Sequence, residues 1–301
     1  MRIAVAATPS VAIPTLDALL ASVHELAFVI TKPDAPAGRG RALQSTPVAL
    51  WAQSKNVQVL KPESSQALGE MVGGLDLVIT IGYGLLLPPE VLQRTKYGFI
   101  NLHFSLLPRW RGAAPVQRAI EAGDKITGVT VFALDPGMDT GPIYQSAQIP
   151  LSLSDTSTQI LDSLANLGVE PVLKTLKQIE RGEKATPQED FGATRAYKLS
   201  KEEGQIDWQL DAETILRKIN AFNPDPSAWS FFRGQLIKIN NARLTEDKTT
   251  PGSLKVVDKS IVVGTKTVAL ELVEVTPAGK SQMLATAWAN GARLNPTDSF
   301  Q

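Results

Sequence analysis

The chain of 301 residues reads as an α/β protein: a mainly parallel, doubly wound sheet followed by a small β-barrel. Three observations predict this. Short Val- and Ile-rich runs alternate with helical patterns through the first half, which implies parallel strands joined by right-handed crossovers. Those runs are apolar throughout rather than alternating, as suits strands buried on both faces. Near the C-terminus some five short strand-like runs are separated by Gly, Pro and Asp, the pattern of a small barrel.

In order, RIAVAA (2–7), ELAFVIT (25–31), VQVL (57–60) and LDLVITIGY (75–83) are the first strands. Pro9 and Pro14 interrupt the apolar N-terminus too early for a signal peptide, so it reads as a buried strand and a turn. Helical patterns lie between the strands at 14–22, 46–55 and 66–74. GFINLH (98–103) is a further strand, followed by a helix at 114–123. GVTVFALD (128–135) and PIYQSAQIPL (142–151) are close enough to pair as an antiparallel edge. A long helical pattern over 154–182 closes this half. The expected division is a catalytic domain over 1–182, a polar linker over 183–204 and a C-terminal domain over 205–301. In the last, a helix at 211–222 precedes strands at 227–232, 235–244, 252–257, 260–265 and 268–280.

Composition excludes several classes. There is no cysteine, hence no disulfide scaffold, thiolate metal site or cysteine nucleophile. No run of about eighteen apolar residues exists to span a membrane. Thirty basic residues balance thirty acidic ones, so any contact with a polyanion must be local. From Trp229 to Gln301 there are nine Lys/Arg against six Asp/Glu, a mild surplus. The glycine fingerprint of dinucleotide sites fails, because Gly82 and Gly84 are followed by Leu87, and no phosphate-loop pattern occurs.

The chemistry concentrates in NLHFSLLPRWRGAAPVQRAI (101–120), which holds one of only two histidines. Residues two apart in a strand share a face, so Asn101, His103 and Ser105 project together at a carboxyl strand end, where open α/β sheets place ligands. The next strand is followed by DPGMDTGP, with Asp135, Asp139, Gly137 and Gly141. Either segment alone is most simply a structural histidine or an ordinary turn. Together they carry what acyl transfer requires: donors for a developing oxyanion, and an imidazole with a carboxylate for proton movement. With no GxSxG elbow, no HExxH and only His24 and His103 available, a direct transfer without covalent intermediate or metal is expected.

These segments resemble the 10-formyltetrahydrofolate-dependent formyltransferases, and the resemblance covers nearly the whole chain. Within that family, TKPDAPAGRGRAL (31–43), SKEEGQIDW (200–208), AFNPDPSAW (221–229) and TPAGK (276–280) are similar to the members acting on methionyl initiator tRNA. The resemblance implies a Rossmann-like formyltransferase domain and a C-terminal barrel resembling an OB-fold that binds tRNA. It implies Asn101, His103 and Asp139 as catalytic residues. Ser105, Leu106, Leu107 and Pro108 would line the folate site, and Lys32, Arg39 and Arg41 would meet the tRNA. A cytoplasmic monomer is expected, with 10-formyltetrahydrofolate and charged tRNA as its partners and neither membrane nor metal. Formyltransferases for amino sugar nucleotides or glycinamide ribonucleotide would share the catalytic trio, but do not account for the basic loop together with the barrel. A tRNA-binding protein without activity would need none of the trio. Three residues depart from the family's pattern: Phe104, expected to pack away from His103, and Ala7 and Gly82, which bear on local loop geometry.

Overall fold

The computed structural model describes residues 1–37 and 42–301, so Arg39 and Arg41 lie outside the described residues. The chain forms two compact units. One comprises Met1–Pro115, Thr127–Ile149 and Leu161–Ala196; the other comprises Val116–Ile126, Pro150–Ile160 and Tyr197–Gln301.

The first unit is built on seven strands: β1 (Arg2–Ala7), β2 (Glu25–Ile30), β3 (Val59–Leu60), β4 (Leu77–Ile81), β5 (Phe99–His103), β6 (Ile126–Ala133) and β7 (Ile143–Pro150). Their order is β7-β6-β5-β4-β1-β2-β3. Pairings from β3 through β2, β1 and β4 to β5 are parallel, and β6 runs antiparallel to β5. The chain builds outward from β1 on one side and then restarts at β4 on the other. That reversal brings the carboxyl ends of β4 and β5 beside a switch point of the kind that holds ligands in open α/β sheets.

Helices α1 (Ile13–Leu20), α2 (Pro47–Ser54), α3 (Ser65–Met71) and α4 (Pro89–Leu92) belong to this unit. The Thr46 hydroxyl caps α2 by accepting from the Ala49 N–H at 3.1 Å, with Pro47 at the first helical position. Ser64 caps α3 in the same way. Ala4, Ala6, Ile30, Val78 and Phe99 contribute to the core on one side of the sheet.

Two expectations change. The helical pattern over 154–182 forms not one helix but two, α6 (Ser157–Leu167) and α7 (Val169–Glu180), following α5 (Pro115–Ala122). Pro171 has no N–H to continue the ladder. At the junction, a Cβ on Gly168 would lie 2.7 Å from the Leu102 side chain of β5, so the absence of a side chain there lets the chain approach the sheet. Pro33, Pro36, Gly38 and Gly40 disfavour regular structure in the basic loop, yet Ala35–Ala37 and Ala42–Gln44 pair antiparallel. In a two-stranded ladder both strands are edges, which tolerates Pro36.

In the second unit, β8 (Ala228–Phe232), β9 (Gln235–Leu244), β10 (Leu254–Val257), β11 (Ser260–Val263), β12 (Leu270–Pro277) and β13 (Met283–Leu284) form an antiparallel sheet. The order is β8-β9-β12-β11-β10, with β13 on β12. Helix α8 (Ala212–Phe222) lies where the sequence places it; α9 (Ala285–Ala292) was not foreseen. Trp288 of α9 stacks on Phe300 at 6.0 Å and meets the Phe232 edge at 5.0 Å. Among the described residues no helix is long and apolar enough to cross a membrane.

Phe99 anchors the start of β5, fully inside the core. Phe99→Ala should cost about 3–5 kcal/mol, as for other buried aromatic truncations. Urea unfolding followed by circular dichroism measures it; a loss below about 1 kcal/mol would mean that the strand is anchored elsewhere.

Candidate active site

Asn101 and His103 project from the same face of β5 as Phe99. The Asn101 amide donates to Thr80 Oγ1 of β4 at 2.8 Å, while that hydroxyl donates to the Ile100 carbonyl at 3.2 Å. A hydroxyl has one hydrogen. Because Thr80 uses it on Ile100, Thr80 accepts from Asn101, and this fixes the amide with its oxygen turned away. Asn101 Oδ1 is buried with no hydrogen-bond partner among the described residues. Buried polar atoms are nearly always paired, and an exception beside a histidine points to a function.

His103 is the last residue of β5 and is buried, its ring edge-on to Phe132. Nε2 lies 2.9 Å from the Trp110 carbonyl. A carbonyl only accepts, so Nε2 carries the hydrogen and the ring orientation is set. Nδ1 faces Asp139 Oδ2 at 3.8 Å, longer than a hydrogen bond but within ion-pair distance of a protonated ring. The two aspartates of the DPGMDTGP loop thus separate. Asp135 accepts from the Gly137 N–H at 3.0 Å and from Thr140 Oγ1 at 2.8 Å, organising the turn. Asp139 alone reaches the histidine, and its Oδ2 also accepts from the Gly112 N–H at 2.8 Å. At Gly141 a side chain would collide with the Ala133 carbonyl, which explains the glycine.

The bend after β5 is tied down by its own polar groups. Ser105 Oγ donates to the Arg109 carbonyl at 2.7 Å. Thr130 of β6, opposite His103 in register, donates to the Ser105 carbonyl at 2.7 Å and accepts from the Leu107 N–H at 3.1 Å. Ser105 and Leu107 are buried, and the Leu107–Pro108 peptide is cis. Phe104 is buried as expected of a packing residue. Gly82 has φ +56°, and a Cβ there would meet Pro9 at 2.7 Å, so glycine is needed at this departure; Ala7 is buried in β1.

Lys32 is exposed, its ammonium 3.4 Å from where a side chain on Gly84 would begin. Asp34, the single acid of the basic loop, is bound by Lys61, which holds its carboxyl below the usual carboxylate range. Sequence reasoning missed Thr80, Thr130 and the segment before Ala196. That segment bonds to the loop after β5: the Trp110 N–H donates to Thr194 Oγ1 at 2.9 Å, the Arg111 N–H to the Thr194 carbonyl at 2.9 Å, and the Ala113 N–H to the Ala196 carbonyl at 2.8 Å. These pairs are some eighty residues apart, with no local signal to reveal them.

The chain matches the family model described as Formyl transferase over residues 1–176, and that described as Formyl transferase, C-terminal domain, over residues 198–293. It is 43% identical over 303 residues to the methionyl-tRNA formyltransferase of Mycobacteroides abscessus, covering 98% of each chain. Among solved structures, HypX from Aquifex aeolicus in complex with tetrahydrofolic acid is similar with TM-score 0.71 and 22% identity, over 96% of this chain and 47% of that one. This chain therefore spans about half the length of HypX. The methionyl-tRNA formyltransferase from Clostridium thermocellum gives TM-score 0.60 and 18% identity, over 82% of this chain and 95% of that one. The structural likenesses establish the fold, and the sequence match establishes kinship. The chain belongs to the formyl transferase family, among the methionyl-tRNA formyltransferases.

Proposed function

We infer that this chain transfers the formyl group of 10-formyltetrahydrofolate to the amino group of methionine esterified to initiator tRNA. The observation that carries the site assignment is the Asn101 oxygen, without a partner among the described residues and buried on the same strand face as a histidine that looks toward a carboxylate. The amine nitrogen attacks the formyl carbon, a carbon–nitrogen bond forms, and the carbonyl electron pair moves onto oxygen. Asn101 Oδ1 accepts an N–H of the attacking amine and orients its lone pair. The Trp110 carbonyl holds the His103 ring so that an Nδ1–H donates to the developing oxyanion, with the Asp139 carboxylate balancing the charge. Collapse breaks the bond from the formyl carbon to N10, and the proton lost by the amine ends on that nitrogen. Formylmethionyl-tRNA and tetrahydrofolate leave, with no bond to the enzyme at any stage.

Leu106, Leu107 and Pro108, with Ser105 fixing the bend, supply the apolar surface and backbone groups suited to a flat pteridine. Lys32, Arg39 and Arg41 meet the acceptor end of the tRNA, and Asp34, the one acid of that stretch of sequence, is bound by Lys61. A guanidinium can grip phosphate in two places or stack on an unpaired base, which makes Arg39 the sharpest candidate. Basic residues of the C-terminal unit add diffuse phosphate contacts. The division into residues 1–182 for catalysis, a linker over 183–204 and residues 205–301 for tRNA follows from this reading. So does a cytoplasmic monomer serving translation initiation from the one-carbon pool.

Offering the protein the formyl donor with charged initiator tRNA, or with an amino sugar nucleotide, tests the assignment; formylation of the sugar alone would reject it. His103→Ala should lower turnover by roughly 10²–10⁴-fold, through loss of an oxyanion donor and proton partner. Near-normal turnover in a variant that melts like the parent would discard the mechanism. Arg39→Ala should impair formylation of charged tRNA while leaving folate binding intact, measured as kcat/KM for tRNA against a folate titration. Unchanged kinetics with full-length tRNA would remove this loop from the RNA interface.

A further inference from the structure

We propose that Gln188 is a positioning residue for the reaction, tying the Asp139 loop to the Arg111 loop and thereby setting the carboxylate that faces His103. Its side-chain amide spends all its hydrogen-bonding capacity on these two loops. Nε2 donates to the Asp139 carbonyl at 3.0 Å and to the Gly141 carbonyl at 2.7 Å. Oε1 accepts from Arg111 Nε at 3.3 Å and from an Arg111 terminal nitrogen at 3.0 Å. Two donors and two lone pairs are all that a glutamine amide has.

Both loops need such a tie. Asp139 has φ +55°, a left-handed conformation uncommon outside glycine though more accessible to Asp than to most residues. Its carboxylate is held from one side by the Gly112 N–H, the residue after Arg111. Gln188 holds the backbone of the same loop from the other side. Arg111 is buried, and the Asp190 carboxylate that pairs with it is 94% exposed, so this ion pair contributes little to holding the guanidinium. The glutamine oxygen is what fixes it within the fold. Farther along the same segment, Arg195–Ala196 pairs in parallel with Arg111–Gly112. The segment is thus a strap across both loops, and among the described residues Gln188 is the side chain of it that reaches Asp139 and Arg111 together.

The kinetic part of this inference rests on the formyl-transfer reading above; the spectroscopic part does not. Gln188→Glu keeps an acceptor for Arg111, now as an ion pair, but removes both donors to the Asp139 loop. Stability should persist while the carboxylate loses its setting. The chain has only His24 and His103, so nitrogen-15 spectra of the histidine rings of the intact protein are simple to assign. In Gln188→Glu the His103 resonances should move and those of His24 stay. Turnover should fall by about 10²-fold, the order expected of a small misplacement, with KM for folate and for tRNA unchanged. Gln188→Met, which removes both pairs of bonds, should shift His103 likewise and also lower the melting temperature. Wild-type His103 resonances in either folded variant would overturn the proposal, whatever the turnover. So would shifted resonances with turnover retained. If the parent protein forms no formylmethionyl-tRNA, the functional reading falls, and the resonances alone still decide whether Gln188 positions the pair.

Discussion

A buried imidazole with an acceptor facing each nitrogen is the constraint around which the first unit is arranged. His103 sits inside the protein, and burying a polar ring without partners is costly. The Trp110 carbonyl satisfies Nε2, and the Asp139 carboxylate faces Nδ1. Neither partner is adjacent in sequence. The chain after β5 must fold back to bring one, and the loop between β6 and β7 must reach across to bring the other. The antiparallel placement of β6 beside β5 starts that loop next to Ile100, away from His103, so the loop must run back along the strand to bring Asp139 to the ring.

That return is made through backbone conformations most residues avoid. Trp110 has φ +64°, Gly112 +129° and Asp139 +55°. Non-glycine residues in such regions cost on the order of 1–3 kcal/mol each and persist only where neighbours over-determine them. Here the neighbours are identifiable: Thr194 on Trp110 and Arg111, Ala196 on Ala113, and Gly112 on Asp139. At Gly112 a Cβ would lie 2.6 Å from the Ala196 carbonyl oxygen, so the closeness of the strap itself demands glycine. The same logic places Thr80 under Asn101, where one hydroxyl decides which end of the amide is left for a substrate.

Much of this was legible in the sequence, for physical reasons that can be named. Unbroken Val/Ile runs gave away the buried strands, and period-two projection put Asn101 and His103 on one face. The glycines around Asp139 marked a tight loop. Helix α9 was harder to see, because ATAWANGA has no capping side chain, and the packing of Trp288 on Phe232 and Phe300 decides its course. The need for glycine at 168 comes from Leu102, more than sixty residues away. Gln188 lies in a polar stretch that reads as linker, and its partners are up to seventy-seven residues distant. Long-range hydrogen bonds leave no periodicity behind, so polar positioning residues stay hidden until the fold is known.

The central claim is that Asp139 acts on His103 rather than on folate. Asp139→Asn keeps the shape and can still accept from the Gly112 N–H, while removing the charge that faces Nδ1. Single-turnover formyl transfer from enzyme saturated with the donor, set beside the folate dissociation constant, separates the two roles. The account predicts a loss of about 10²-fold or more in the transfer rate with folate affinity unchanged. Folate affinity abolished, with normal chemistry in the fraction that binds, would contradict it.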